Sequence, residues 1–309
     1  MRKNMYLSVC LVLFLFLISS SVFAATEILD RGYSSPENLI SCEELNSIIG
    51  NEDVKIIDFR SNVDYITGHI PGAIQIGRDE FEDGDAKYDY IMASPEKIEN
   101  LLREKGIKNN DLIVAYDNTN NLWSSRVWWI LKMYGHDNVK LLDGALGRWE
   151  ELNYETKLVE FQSFEESDYQ IEEINKNMVA NMDEVENAID RDDSLILDVR
   201  AWGEYTGEVV LDGAAMGGRI PSSVWIEWTE VLNDDGTFKN AAELKEIYQE
   251  KGVDPDKVIY PYCQGAIRSC HTTFVLKSLL GYPEVKNYDG SWVEWSNENM
   301  PVATGENTK

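Results

Sequence analysis

The chain has 309 residues and a mass of 35.3 kDa, which points to two domains. Apolar residues make up 43% of it, and nine Trp and fifteen Tyr are available for cores, which excludes a disordered chain. Its net charge of −27 excludes nucleic acid and anionic lipid as nonspecific partners, because a phosphate footprint needs excess cations. Four Cys without a C-x-x-C pair exclude a zinc ribbon or a disulfide-dense scaffold, and no metal site is expected.

Residues 1–24 have the three-part layout of a secretory signal. Arg2 and Lys3 form a basic start, Tyr6 to Ile18 are almost wholly apolar, and Val22-Phe23-Ala24 offers a cleavage site. The apolar run is shorter than the roughly 20 residues of a spanning helix. Cys10 lies inside it and leaves with it. The expected product is exported, periplasmic or extracellular, without stable membrane insertion, and monomeric. Its three Cys, an odd count, leave at least one free thiol in an oxidising compartment.

The rest of the chain repeats itself. Lys55-Ile56-Ile57-Asp58-Phe59-Arg60 matches Leu195-Ile196-Leu197-Asp198-Val199-Arg200 at an offset of 140, and His69-Ile70-Pro71 matches Arg219-Ile220-Pro221 at 150. Tyr116, Gly135, Asp143, Gly144 and Trp149 match Tyr262, Gly281, Asp289, Gly290 and Trp295 at 146. Constant offsets separated by two changes mean one core built twice, with two loops of different length. The copies are read as 33–154 and 174–303, joined by an acidic linker over 155–173 and followed by a tail over 304–309.

In chain order, each copy predicts the same alternation. A helix (41–49; 181–189) precedes a buried strand (54–59; 194–199). A second helix (95–105; 241–251) precedes a second strand (112–116; 258–262). A third helix follows at once (123–134; 269–280), then a third strand (139–142; 285–288). Continuous apolar strands alternating with helices predict an α/β fold, each copy a parallel sheet with helices on both faces.

The second strand of the second copy ends in Cys263, and Gln264-Gly265-Ala266-Ile267-Arg268 leads into the third helix. Ligands of open α/β sheets bind beyond the carboxyl ends of strands. Loop amides and a helix N-terminus there favour an anion, including a thiolate nucleophile. Gly265 is expected to relax the backbone of a tight loop, and Arg268 to add a fixed positive charge. The bland alternative is a buried strand-end Cys. Asp117 takes the corresponding place in the first copy, where its carboxylate and the Asn118-Thr119 that follow are suited to capping the third helix.

These motifs resemble the tandem-domain rhodaneses, a family of sulfurtransferases. The resemblance covers 40–301. It rests on Asp58-x-Arg60 with Gly68-His69-Ile70-Pro71-Gly72-Ala73, Asp198-x-Arg200 with Gly218-Arg219-Ile220-Pro221, Tyr262-Cys263-x-Gly265, and Tyr288-Asp289-Gly290-Ser291-Trp292-x-x-Trp295. It implies a silent first copy and a catalytic second one. The implied reaction is a double displacement: Cys263 takes the sulfane sulfur of a small anionic donor such as thiosulfate, and a thiol or cyanide acceptor removes it. Residues 264–268 would cradle the persulfide, and no cofactor is needed. Cysteine phosphatases of related architecture place five residues between Cys and Arg; here four separate Cys263 from Arg268, a smaller cradle suited to one sulfur.

The donor is less defined. Mercaptopyruvate-type loops tend to carry Gly-Ser-Gly after Cys, animal thiosulfate-type loops carry basic residues, and this loop matches neither. Glu204 lies in the segment where animal enzymes have a donor-binding base, so Arg268, and with it Arg200, is left to supply charge. An Asp-x-Arg pair is otherwise structural. Two other readings are a 3-mercaptopyruvate sulfurtransferase and an exported sulfur carrier or anion-binding module without turnover. Cys270, Cys42, His69 and the pairs Trp225/Trp228 and Trp292/Trp295 are expected to pack, and His271 to face away from Cys263.

Overall fold

The computed structural model describes residues 27–159 and 162–306. The expected signal segment, with Cys10, lies outside them. Among the described residues no helix is long and apolar enough to cross a membrane.

The first copy runs β1 (Leu39–Ile40), α1 (Cys42–Ile48), β2 (Val54–Asp58), α2 (Asn62–Thr67), β3 (Ile74–Gln75), α3 (Pro95–Glu104), β4 (Leu112–Tyr116), α4 (Ser124–Met133), β5 (Val139–Leu142) and α5 (Ala145–Glu151). Its helices begin where the sequence supplies a cap. Ser41, Ser61 and Ser94 each accept a hydrogen bond from the backbone N–H three residues on. The strands form one parallel sheet in the order β1-β5-β4-β2-β3. β2 and β4 pair from Val54 with Leu112 to Asp58 with Tyr116, so both end at the same level.

The second copy repeats this as β6 (Val179–Ala180), α6 (Met182–Asn187), β7 (Ser194–Asp198), α7 (Trp202–Thr206), β8 (Val224–Trp225), α8 (Ala241–Glu250), β9 (Val258–Tyr262), α9 (Ile267–Phe274), β10 (Asn287–Tyr288) and α10 (Ser291–Asn297). The sheet is parallel but divided. β8-β7-β9 form one ladder and β10-β6 another, joined through a single bridge from Ile259 to Val285. The strand expected over 285–288 is thus regular only at its end. The helix expected over 269–280 starts two residues earlier and widens into a π turn over Val275–Leu279. Thr273 Oγ1 donates to the Ser269 carbonyl at 2.8 Å just before the widening, a side chain competing within the helical ladder.

The two copies share a core. α4 and α9 pack against each other, with Trp128 edge-on to Phe274 at 5.0 Å, inside an apolar cluster that also takes in Ile57, Ile113, Leu131, Leu197, Ile259 and Leu276. Each buried Leu, Ile or Phe contributes roughly 1.5–3 kcal/mol. α4 is buried nearly all round, as a helix between two sheets must be. The helix that follows Cys263 is therefore braced by the first copy. The segment read as a linker is also tied down. Tyr169 is buried, Ser167 N–H donates to Arg103 O, and Arg103 Nε donates to Tyr169 O.

Both Asp-x-Arg motifs make the same network. Arg60 grips Asp58 and donates to Gly68 O, while Tyr116 donates to Asp58 and accepts from Ile70 N–H. Arg200 grips Asp198 and donates to Gly218 O, while Tyr262 donates to Asp198 and accepts from Ile220 N–H. Because the copy with Asp117 in the place of Cys263 makes it too, the network belongs to the fold. It locks the ends of β2 and β7 to the loops that follow.

Candidate active site

Cys263 stands at the carboxyl end of β9, and α9 begins four residues later. Its own N–H and that of Ala266 both donate to Ser291 Oγ, at 3.2 and 3.1 Å, and Ser291 donates to Tyr288 O. This anchors both ends of a tight loop to the start of α10. Ser269 Oγ lies 3.7 Å from the sulfur as a donor. The first helical N–H groups, of Ile267, Arg268 and Ser269, have no carbonyl four residues back within the helix. Among the described residues no protein acceptor takes them or Gly265 N–H. They are free donors at the positive end of the helix.

The first copy reveals what such donors hold. Asp117 is fully buried at the end of β4. One carboxylate oxygen accepts from Thr119 and Asn121 N–H at 2.6 and 3.1 Å, and the other from Trp123 and Ser124 N–H at 2.7 and 2.8 Å. Among the described residues no cation pairs with it. Burial pushes its carboxyl above the ordinary value, and the amide donors work against that shift. At an offset of 146 these donors correspond to Gly265, Ile267, Ser269 and Cys270. The carboxylate fills one cradle with the protein's own anion; the other has a thiol at its base.

Gly265 is needed for space rather than for backbone freedom. The left-handed residue of the loop is Ala266, at φ 57°. A methyl group on Gly265 would stand 2.6 Å from Cγ of Tyr90, a first-copy side chain pressed onto the loop. Tyr90 itself has φ 69°, unusual for a bulky residue. Its carbonyl accepts from Arg126 at 2.5 Å, and its ring faces the Arg78 guanidinium at 5.2 Å. Arg126, buried at the interface, also pairs with Asp289 at 2.6 Å, and Met92 N–H donates to the other Asp289 oxygen. The first copy thus walls the loop that follows Cys263, and Cys263 is 1% exposed.

The two arginines expected to supply charge are both engaged. Arg268 makes a two-pronged pair with Glu204, at 2.6 and 2.8 Å. Arg200 is 1% exposed and held by Asp198 and the Gly218 carbonyl, with its guanidinium over Trp292 at 4.6 Å. Arg200 is therefore a structural residue rather than a substrate contact. Arg268 brings to the loop a charge already balanced by a carboxylate.

The remaining side chains pack. His271 is buried between the rings of Trp228 and Phe238, and burial pushes its basicity down to about 3. Cys270 and Cys42 are buried thiols, each pushed up to about 12 by desolvation. Asn287 and Arg126 donate to the Cys270 sulfur. Trp292 and Trp295 lie in the outer core of the second copy. His69 stacks on Tyr65. Among the described residues no cluster of His, Cys, Asp and Glu has metal-holding geometry.

Sequence reasoning passed over Ser291, Ser269 and Tyr90. Two had a signal. At an offset of 146, Ser291 faces Ala145 and Ser269 faces Trp123, so both hydroxyls occur only in the copy that carries the Cys. Tyr90 had none, because its contact joins residues 175 apart across the copies.

A model of the rhodanese-like domain matches residues 41–152 and 181–298. The sulfur carrier protein TtuD of Thermus thermophilus is 37% identical over 287 residues, which cover 89% of this chain and 99% of that protein. The thiosulfate sulfurtransferase of Corynebacterium glutamicum is 34% identical over 292 residues, covering 90% and 94%. Among solved structures, wild-type EanB matches with a TM-score of 0.78 at 25% identity, over 88% of this chain and 70% of that one. YnjE, at 23% identity and a TM-score of 0.79 over 90% and 71%, shares the fold. The two domain matches, and an alignment almost end to end with the Thermus thermophilus and Corynebacterium glutamicum relatives, place this chain in the rhodanese family, as a tandem of two rhodanese-like domains.

Proposed function

We propose that the protein is a sulfurtransferase that carries sulfane sulfur as a persulfide on Cys263, with thiosulfate as donor. The observation that carries this reading is the pair of cradles: one surrounds a carboxylate, and its counterpart begins at a thiol with the N–H groups of Gly265, Ile267 and Ser269 free of protein acceptors among the described residues. The Cys263 thiolate attacks the outer sulfur of thiosulfate. A new S–S bond forms, the old one breaks, and its electron pair leaves with sulfite. Negative charge moves to the terminal sulfur, where the N–H groups of Gly265, Ile267, Arg268 and Ser269 are preorganised to receive it. Cyanide or a thiolate then attacks that sulfur and restores the Cys263 thiolate. The chain itself supplies the nucleophile, the anion donors and the wall that excludes water.

Steady-state kinetics with thiosulfate and cyanide test the reading. The expected pattern is ping-pong, with sulfite released before cyanide acts, and no turnover in Cys263→Ser. A Cys263→Ser variant that still forms thiocyanate would overturn it. The name of the TtuD relative, and the enclosure of Cys263, favour a second reading as a carrier that loads but does not turn over with small acceptors. A loaded protein that cyanide fails to discharge would select it. Export through the segment at 1–24 is part of the proposal, tested by N-terminal sequencing of the secreted protein.

A further inference from the structure

The second copy carries ten residues, 208–217, that the first copy lacks. They account for the change of offset from 140 to 150. The chain leaves at Gly207 and returns at Gly217-Gly218, and the three glycines close a neck. A methyl group on Gly217 would stand 2.5 Å from Gly207 O, and one on Gly207 would stand 2.9 Å from Gly218 N. A surface loop of this length with pinched ends is an Ω-loop. Its backbone is fixed to the catalytic elements. Gln264, next to Cys263, donates to Asp212 O at 3.1 Å, Trp292 Nε1 donates to Met216 O at 2.9 Å, and Asn297 donates to Gly213 O at 2.8 Å.

Its side chains contrast with that order. Val209, Val210, Leu211 and Met216 are 47%, 52%, 41% and 41% exposed, and Trp202, beside the Val209 contact with Gly203, is 37% exposed. A rigid loop that keeps aliphatic groups in water is not explained by packing. Glu208 and Asp212 flank them, exposed and outside any ion pair among the described residues. The whole chain adds a field of −27. That field repels a second copy and an anionic lipid surface, and it attracts a cationic partner.

Resting on the sulfurtransferase reading, we propose that this loop is the docking surface for a polypeptide acceptor, one whose thiol is set in an apolar patch rimmed by lysine or arginine. Docking on 209–211 brings the acceptor thiol to the loop that starts at Cys263, and Gln264 links the two. The bonds are those of the discharge step: the acceptor thiolate takes the terminal sulfur and the Cys263 thiolate is regenerated.

The test uses two synthetic peptides with one central Cys and equal lysine content, one with Leu and the other with Ser around the Cys. The rate of discharge of the preformed persulfide is measured for each, and for cyanide. The expected result is that the Leu peptide is faster by roughly tenfold, that Val210→Ser with Leu211→Ser removes this advantage, and that cyanide discharge is unchanged. Equal rates for the two peptides, or an advantage that survives both substitutions, would overturn the docking surface. So would a wild-type dimer that the two substitutions dissociate, because a second copy would then cover the patch. Failure of cyanide discharge in the wild type would instead overturn the underlying reading.

Discussion

Glu204 holds Arg268 with both carboxylate oxygens, at 2.6 and 2.8 Å, beside the loop that begins at Cys263. The pair leaves the cradle little net positive charge for an anionic donor. Glu204→Gln keeps an acceptor for Arg268 and for the Ala201 N–H that caps α7, but removes the negative charge. The KM for thiosulfate is expected to fall by roughly threefold to tenfold, about 0.7–1.4 kcal/mol, with kcat nearly unchanged. An unchanged or higher KM would show that Arg268 does not act on the donor.

Gly265 and Tyr90 are matched in shape. Gly265→Ala places a methyl group against the Tyr90 ring, an overpacking cost of about 1–3 kcal/mol, and is expected to reduce thiosulfate turnover at least about tenfold. Tyr90→Gly removes the ring and suits φ 69°. The double variant should therefore recover most of the turnover lost in Gly265→Ala. Turnover measured across this cycle decides it; additive losses would contradict the contact.

Asp117 is the structural counterpart of Cys263 at an offset of 146. Asp117→Ala leaves four N–H donors, two of them buried and two half-buried, without an acceptor, and is expected to cost on the order of 3 kcal/mol. Thermal unfolding should show a large fall in Tm, while persulfide formation on Cys263 persists at temperatures where the variant is folded. A wild-type Tm would contradict the role of Asp117 as resident anion.

His271 ties stability to pH. Burial lowers its basicity to about 3, against about 6.5 in the unfolded chain. Between these values the unfolded chain binds the extra proton. The stability His271 supplies as a neutral side chain is therefore full above pH 6.5 and is lost as pH falls through this window, by on the order of several kcal/mol. His271→Leu retains the apolar packing and removes the titration. Urea unfolding from pH 7.5 to 4.5 should show a flatter profile for it, whereas equally steep profiles would contradict the assignment.

The scaffold was legible because burial on both sheet faces leaves continuous apolar runs. The strands Leu112–Tyr116, Val139–Leu142 and Val258–Tyr262 have the bounds that the residues predict. The duplicated Asp-x-Arg motifs and the place of Cys263 were legible as local patterns. The rest depended on contacts between distant residues. Glu204 could be read as acidic, but not as the partner of Arg268, 64 residues on. Gly265 appeared to serve the backbone because Tyr90 could not be seen. The π turn after Phe274 follows a hydrogen bond between the Thr273 side chain and the Ser269 backbone, and periodicity encodes neither.

On the proposed mechanism, the free amides that follow Cys263 receive a sulfur-borne negative charge, as their counterparts receive the Asp117 carboxylate. Intact mass before and after thiosulfate measures this directly. The expected result is a gain of about 32 Da, one sulfur atom, on Cys263 alone, absent in Cys263→Ser and removed when an acceptor is added. No gain with thiosulfate, or a gain that persists in Cys263→Ser, would contradict it.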